Sequence, residues 1–274
     1  MKATCPICPH ACVLSEGQTG FCLGRVNRNG KVVSKNYGLL TSLALDPIEK
    51  KPFARFYPGS KILSAGSFGC NMKCPFCQNH DISYNDGKED FPYVSPEKLI
   101  EIAVKEKTHG NIGLAFTYNE PFISYEYIRD CFLLAKQAGL KTILVTNGMI
   151  NPAPLMYLMP YIDALNIDLK GFSQEIYDHL KGDLETVKNT IEIASKSAHV
   201  EVTSLIVPGF NDEKEDMEEQ AKWLASINPD IPLHITRFFP RYMMINEQPT
   251  SLSLIHDLVA IAKSHLIYVY KGNC

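Results

Sequence analysis

The sequence is poor in what several protein classes require. No stretch of its 274 residues approaches the roughly 18 to 20 apolar residues that span a bilayer. The opening MKATCPICPH has no apolar run between a basic start and a small-residue cleavage site, which argues against a signal peptide. Positive charge is not in excess either: 27 Lys and Arg stand against 30 Asp and Glu, a net charge of −3, and no basic run is present. Neither a nucleic-acid backbone nor an anionic membrane therefore meets a general attraction. Internal repeats and low-complexity tracts are absent, and 45% hydrophobic with 21% charged residues is ordinary for a globular chain. These absences lead to an expectation of a cytoplasmic protein with no membrane or nucleic-acid partner.

Cysteine, by contrast, is plentiful. Seven of the nine Cys residues fall into two tight groups, and in a reducing compartment such groups read as metal sites rather than disulfides. Cys131, on an expected helix, and Cys274 stand apart and are not expected to be ligands.

From about residue 60 onward, short apolar runs alternate with longer amphipathic segments, the pattern of repeated β-α units on a parallel sheet. Strands are expected near 61–68, 112–117, 141–146, 164–169, 200–207, 232–238 and 266–270, one short of a full barrel. Ser95-Pro96 and Asn151-Pro152 mark helix starts, and Gly139 closes a helix ending at Ala138. Residues 1–60 have four Cys and weak periodicity, so they are expected to form a small metal-stapled segment ahead of a 61–274 partial barrel. The polar stretch 83–94 reads as an exposed loop. The fold class is α/β, an incomplete TIM-like β/α barrel with a small Cys-rich N-terminal segment.

Cys70-x-x-x-Cys74-x-x-Cys77 directly follows the first of these strands, at the end where β/α barrels carry their active sites. Three thiolates at this spacing can hold three irons of a [4Fe-4S] cube, and with no fourth Cys nearby one iron is left open for reaction. The competing reading is a zinc knot of the same three Cys with His80.

This spacing, with Phe76 before the last Cys, resembles the hallmark of the radical S-adenosylmethionine superfamily. The resemblance implies a [4Fe-4S] cluster on Cys70, Cys74 and Cys77, with S-adenosylmethionine chelating the open iron and Phe76 packing near its adenine. It also implies reductive cleavage of the sulfonium to a 5′-deoxyadenosyl radical that removes hydrogen from a substrate. Thr117-Tyr118-Asn119-Glu120-Pro121 is similar to the family's Gly-Gly-Glu-Pro segment, with Tyr118 and Asn119 replacing the two glycines. Thr146-Asn147-Gly148 and Asp168-Leu169-Lys170 are similar to strand ends of the pyruvate formate-lyase activating enzymes. By that likeness Asn119, Glu120, Asn147, Asp168 and Lys170 are cofactor-binding, with Lys170 suited to the methionine carboxylate. Val207-Pro208-Gly209-Phe210-Asn211-Asp212 and His234 continue the match, His234 toward the ribose, whereas Thr203 stands where those activases have Arg.

Cys5-x-x-Cys8-x-x-x-Cys12 followed by Cys22 supplies four soft ligands within eighteen residues, enough for zinc or for a second iron–sulfur cluster. The spacing does not choose between them. The run CPICPHACVL…GQTGFCLGR resembles the N-terminus of the radical enzymes of the AmmeMemoRadiSam system, over residues 5 to about 270. That likeness implies Memo-like and AMMECR-type partners, and the superfamily implies a flavodoxin or ferredoxin reductant. Members of that group often continue past YVYKGN to a Cys-x-x-Cys pair, whereas this sequence stops at Cys274. Three functional readings follow: a radical enzyme acting on a small molecule, with Tyr118, Arg237, Arg241 and Tyr242 as pocket groups; a glycyl-radical activase acting on a protein; and a non-catalytic metal-binding interaction module.

Overall fold

Hydrogen bonding between neighbouring strands runs unbroken from residue 42 to the C-terminus in the computed structural model, which describes residues 1–274. The eight strands are β1 (Ser42–Pro47), β2 (Lys61–Gly66), β3 (Asn111–Phe116), β4 (Lys141–Thr146), β5 (Ala164–Asp168), β6 (His199–Ile206), β7 (Leu233–Arg237) and β8 (Val269–Gly272). They lie side by side in chain order, and no ladder joins β8 to β1, so the barrel stays open. From β2 to β8 every pairing is parallel, which forces a crossover between successive strands. The helices α1 (Pro96–Lys105), α2 (Tyr125–Gln137), α3 (Pro152–Leu158), α4 (Gln174–His179), α5 (Leu184–Ala194), α6 (Lys214–Ile227) and α7 (Leu252–Lys263) provide those crossovers.

Local chemistry sets the helix ends. Ser95 accepts from the Lys98 N–H at 3.2 Å, with Pro96 in the first helical position. Gly139, at φ +64°, ends α2 in the left-handed region. Asn151 does start α3, yet its side chain is spent elsewhere, donating to the Pro6 carbonyl at 2.8 Å.

Between sheet and helices lies the main core, which includes Leu114, Phe122, Tyr127, Phe132, Leu165 and Tyr177. A smaller cluster on the other side of the sheet joins Ile62, Ile143 and Ala164 to Ile48 and Phe53 from the chain after β1. That chain plugs the interior of the open barrel.

All seven expected strands are present, the last displaced to Val269–Gly272. The eighth, β1, lies inside the segment expected to be separate. It pairs antiparallel with β2 along its full length, from Ser42↔Gly66 to Pro47↔Lys61, so a boundary at residue 60 cuts across the sheet. Only Asp46 of its six residues is buried, and an exposed edge strand carries no hydrophobic alternation to read.

Residues ahead of β1 form two short hairpins, Ala3–Thr4 with Val13–Leu14 and Arg25–Arg28 with Lys31–Ser34. The second is anchored by Arg25, whose Nη2 donates to Glu126 Oε1 on α2 at 2.9 Å. Burial pushes the Glu126 carboxyl up, but Arg25 outweighs it and holds the group below its ordinary value. Glu126→Ala would leave the Arg25 charge, 3% exposed, without its counter-ion. The expected cost is about 3 kcal/mol, the low end for orphaning a buried charge. Chemical denaturation measures it, and limited proteolysis should release residues 1–41 faster than the barrel. Unchanged stability would show that the hairpin is held by something else.

Candidate active site

β2 delivers the chain into a loop at the C-terminal edge of the sheet, and this loop carries Cys70, Cys74 and Cys77. Gly69 makes its course feasible: φ is +90°, and a Cβ there would stand 2.5 Å from the Cys22 carbonyl. The next residue, Cys70, donates its N–H to that same carbonyl at 3.1 Å. Burial pushes the Cys74 thiol up to about 11, with Lys170 opposing, and lifts Cys70 well above the thiol range. A bound metal takes the place of the proton and removes this penalty.

The loop is held from the neighbouring strand ends. Glu120, 2% exposed after β3, accepts from Phe122 N at 2.9 Å, Thr146 Oγ1 at 2.8 Å and Asn147 N at 2.8 Å. Burial raises its carboxyl to about 7, against these three donors. Asn147, fixed in this way, donates to Asn71 Oδ1 at 2.9 Å and lies 3.6 Å from Cys70 Sγ. Asn119 accepts from Ser67 N at 3.0 Å and donates to the Gly69 carbonyl at 3.1 Å, so it braces the same loop. Tyr118 adopts φ +76° and turns toward β1, its hydroxyl donating to Asp46 at 2.6 Å beneath the Lys51 ammonium.

On the far side, Lys170 Nζ donates to Asp168 Oδ2 at 2.9 Å. Burial alone would lower the Lys170 pKa, but the Asp168 carboxylate and the Cys74 thiol outweigh it and keep the ammonium charged. Phe76 is buried edge-on against Phe210, 5.5 Å between centroids, so the Val207–Asp212 turn closes over the Cys loop. Asn211 ties that turn to the Lys170 carbonyl at 3.0 Å.

His234 is two strands from Asp168 at the same level, since Thr203 is in register with both. Its Nε2 is bonded to the fully buried Glu201 at 2.6 Å, and its ring stacks on Tyr270. Thr203 donates its hydroxyl to Asn166 Oδ1 at 2.8 Å. Arg237 is tied to the Thr250 carbonyl, and Tyr242 stacks on His80 with 4.4 Å between centroids. His80 thereby lies beside Tyr242 and Asp81.

The donor set fits a cluster. Three thiols share one loop and no fourth cysteine lies on it, the donor count of a cube with one open iron. Elsewhere Cys5, Cys8, Cys12 and Cys22 line a common cavity with His10, Phe21 and Arg25. Cys131 is in the core and Cys274 is exposed.

A family model described as the radical SAM superfamily matches residues 66–224, more than half of the chain. The chain belongs to the radical SAM superfamily. It is 38% identical over 277 aligned positions to an uncharacterized protein of Methanocaldococcus jannaschii, covering 99% of this chain and 81% of that one. It is 29% identical over 153 positions to the pyruvate formate-lyase 1-activating enzyme of Escherichia coli, covering 53% and 61%. Among solved structures, Streptococcus suis SuiB bound to S-adenosylmethionine superposes with a TM-score of 0.60 at 14% identity, over 78% of this chain and 52% of that one. A domain of the pyruvate-formate lyase-activating enzyme from Bacteroides vulgatus gives 0.52 at 18%, over 59% and 99%. Membership makes the chain a radical enzyme that uses a [4Fe-4S] cluster and S-adenosylmethionine, and it removes the reading as a non-catalytic module. No helix is long and apolar enough to cross a membrane.

Two residues beside the radical SAM loop had no signal of their own in the sequence. Asn71 is fully buried and bonds Asn147, the Met149 carbonyl and, through its own carbonyl, His10. Lys73 faces the thiols of both cysteine groups and lies 4.9 Å over the Phe21 ring. Both lie between motif cysteines, where the spacing alone is read.

Glu201 supplies a pH test of the lumen. Burial raises its carboxyl, but His199, His234 and the Ala54 and Arg55 N–H groups outweigh this and bring it from 4.5 to about 2. Its contribution is complete above pH 4.5 and is lost as the pH falls toward 2. Glu201→Gln should therefore lower the melting temperature at pH 7 and flatten the loss of stability below pH 4.5. An acid limb as steep as in the unaltered protein would assign that loss to other carboxyls.

Proposed function

We propose that Cys70, Cys74 and Cys77 hold the catalytic cluster and that Lys170 and Asn147 position S-adenosylmethionine beside it, for hydrogen abstraction from a substrate at the mouth of the barrel. The observation that carries this reading is the convergence of four consecutive strand ends on one loop, with Asn147 beside Cys70 and Lys170 facing Cys74. When bound, the cluster supplies one electron to the sulfonium, giving methionine and the 5′-deoxyadenosyl radical.

The chain's residues prepare that event. Three thiolates satisfy three irons and leave the fourth without a protein ligand. Lys170, kept charged by Asp168, offers a cationic donor to the methionine carboxylate without help from a neighbouring Arg. Glu120 has no oxygen free of internal donors, so it is a positioning residue that aims Asn147 rather than a cofactor ligand. Phe76 and Phe210 close the adenine side against water. His234, fixed through Nε2 by Glu201, presents its other edge to the lumen for the ribose.

A protein substrate is favoured over a small molecule by one feature of the mouth. The segment after β7 exposes Phe239, Tyr242, Met243 and Ile245, and Met243 N donates to the Pro75 carbonyl at 3.1 Å, so this apolar strip borders the Cys loop. An activating-enzyme relative supports the same reading; the flavodoxin or ferredoxin reductant and the Memo-like or AMMECR-type companion are proposed on the resemblance of the sequence motifs alone.

Anaerobically reconstituted protein with dithionite should release 5′-deoxyadenosine and methionine from S-adenosylmethionine, and Cys70→Ala should abolish release. Lys170→Met should raise the S-adenosylmethionine concentration for half-maximal release by about 10- to 100-fold, the worth of one charged hydrogen bond. Absence of 5′-deoxyadenosine from the unaltered protein overturns the assignment.

A further inference from the structure

Lys73 lies between two motif cysteines, and the proposed function gives it no task. Its backbone is fixed, the N–H donating to the Leu180 carbonyl at 2.8 Å. Its side chain is half-buried, with Nζ 4.6 Å over the Tyr84 ring and 4.9 Å over the Phe21 ring. Both rings are tied to the cysteines. The Tyr84 hydroxyl donates to the Cys74 carbonyl at 2.9 Å, and Phe21 precedes Cys22, whose carbonyl accepts from the Cys70 N–H at 3.1 Å. Phe21 is held in turn by His10, 4.4 Å between ring centroids, whose Nε2 is 2.8 Å from the Asn71 carbonyl. The ammonium therefore rests on two aromatic faces beside the Cys loop, the geometry in which a ring quadrupole attracts a cation.

The other two cations near the cysteines are neutralised where they stand. Lys170 is paired with Asp168 at 2.9 Å and Arg25 with Glu126 at 2.9 Å, so at a distance each acts as a dipole rather than a charge. Lys73 has ring faces in place of a carboxylate. Burial works against its charge, and the thiols of Cys70, Cys22, Cys74 and Cys77 are what favour it.

We infer that Lys73, clamped between Phe21 and Tyr84, sets the reduction potential of the cluster held by Cys70, Cys74 and Cys77. Reduction places one further negative charge on that site, and an uncompensated cation beside it favours the reduced state. Phe21 belongs to the segment ahead of β1, so that segment serves the central site by keeping this charge in place. The inference rests on the cysteine assignment of the proposed function.

The test is a redox titration followed by electron paramagnetic resonance on the full chain, reconstituted without oxygen, with the central cluster identified as the signal that S-adenosylmethionine alters. Lys73→Met should shift the one-electron equilibrium about tenfold toward the oxidised state, a midpoint lower by about 59 mV. Lys73→Arg should stay near the unaltered value, and Phe21→Leu, which keeps the charge but removes a ring face, should fall between the two. An unchanged midpoint in Lys73→Met at full iron content overturns the inference, as does an equal fall in Lys73→Arg, which would trace the effect to packing. Should Lys73→Met take up no iron, Phe21→Leu decides: a lowered midpoint supports the clamp and an unchanged one overturns it. Persistence of the S-adenosylmethionine-sensitive signal in Cys70→Ala would fail the proposed function, whereas a midpoint indifferent to Lys73 fails this inference alone.

Discussion

A carboxylate buried at the end of β3 sets the geometry of the site. Glu120 takes donors from its own turn and from the end of β4, so two adjacent strand ends are clamped by one group that has no access to water. Its burial lifts the carboxyl to about 7, and the three donors are what make the position tolerable. Asn147 inherits its orientation from that clamp, Asn71 from Asn147, and the backbone around Cys70 from both. An unbroken hydrogen-bonded chain thus runs from the sheet to the metal-binding loop. A flexible three-cysteine loop would lose considerable entropy on binding a cluster, and this chain reduces the loss in advance.

The same chain of contacts explains why the N-terminal segment is not an independent unit. Residues 1–41 contain two hairpins too short to bury a core of their own. They lean on the barrel at separated points: Arg25 on α2, Asn151 on the backbone of Pro6 and Ile7, and Cys22 on Cys70. β1 then continues directly into the sheet. Stability and assembly of the two cysteine groups are therefore coupled, since the carbonyl of one group receives the N–H of the other.

How much of this was legible in the sequence depended on whether a pattern or a partner carried the information. Seven strands followed from apolar periodicity because each is buried on at least one face, and the cysteine loop followed from spacing. β1 was missed because an exposed antiparallel edge leaves no such trace. Site residues divide in the same way. Asp168 and Lys170, cofactor-binding by resemblance, also pair with each other at the strand end. Glu120 resembled a cofactor ligand in one dimension; its partners at Thr146 and Asn147 come from another strand, so its bracing of that strand could not be read from the motif. His234 is level with Asp168, yet the Glu201 carboxylate that fixes it comes from β6 and could not be read from the motif. Tyr118 turns to Asp46 and Lys51, partners supplied by β1 and the chain that follows it.

Electrostatics bind the two cysteine groups further. Thiolates of the two groups, joined through a single peptide hydrogen bond from Cys70 to Cys22, would repel one another in a medium of low permittivity. Lys73 faces the thiols of both groups, while Lys170 approaches from the Cys74 side and Arg25 from the Cys5 side. Burial works against the Lys73 charge, and the thiols on either side are what favour it. A cation placed between two groups of thiolates screens them from each other. In a chain whose net charge is −3, these three cations next to seven cysteines are a local inversion of charge.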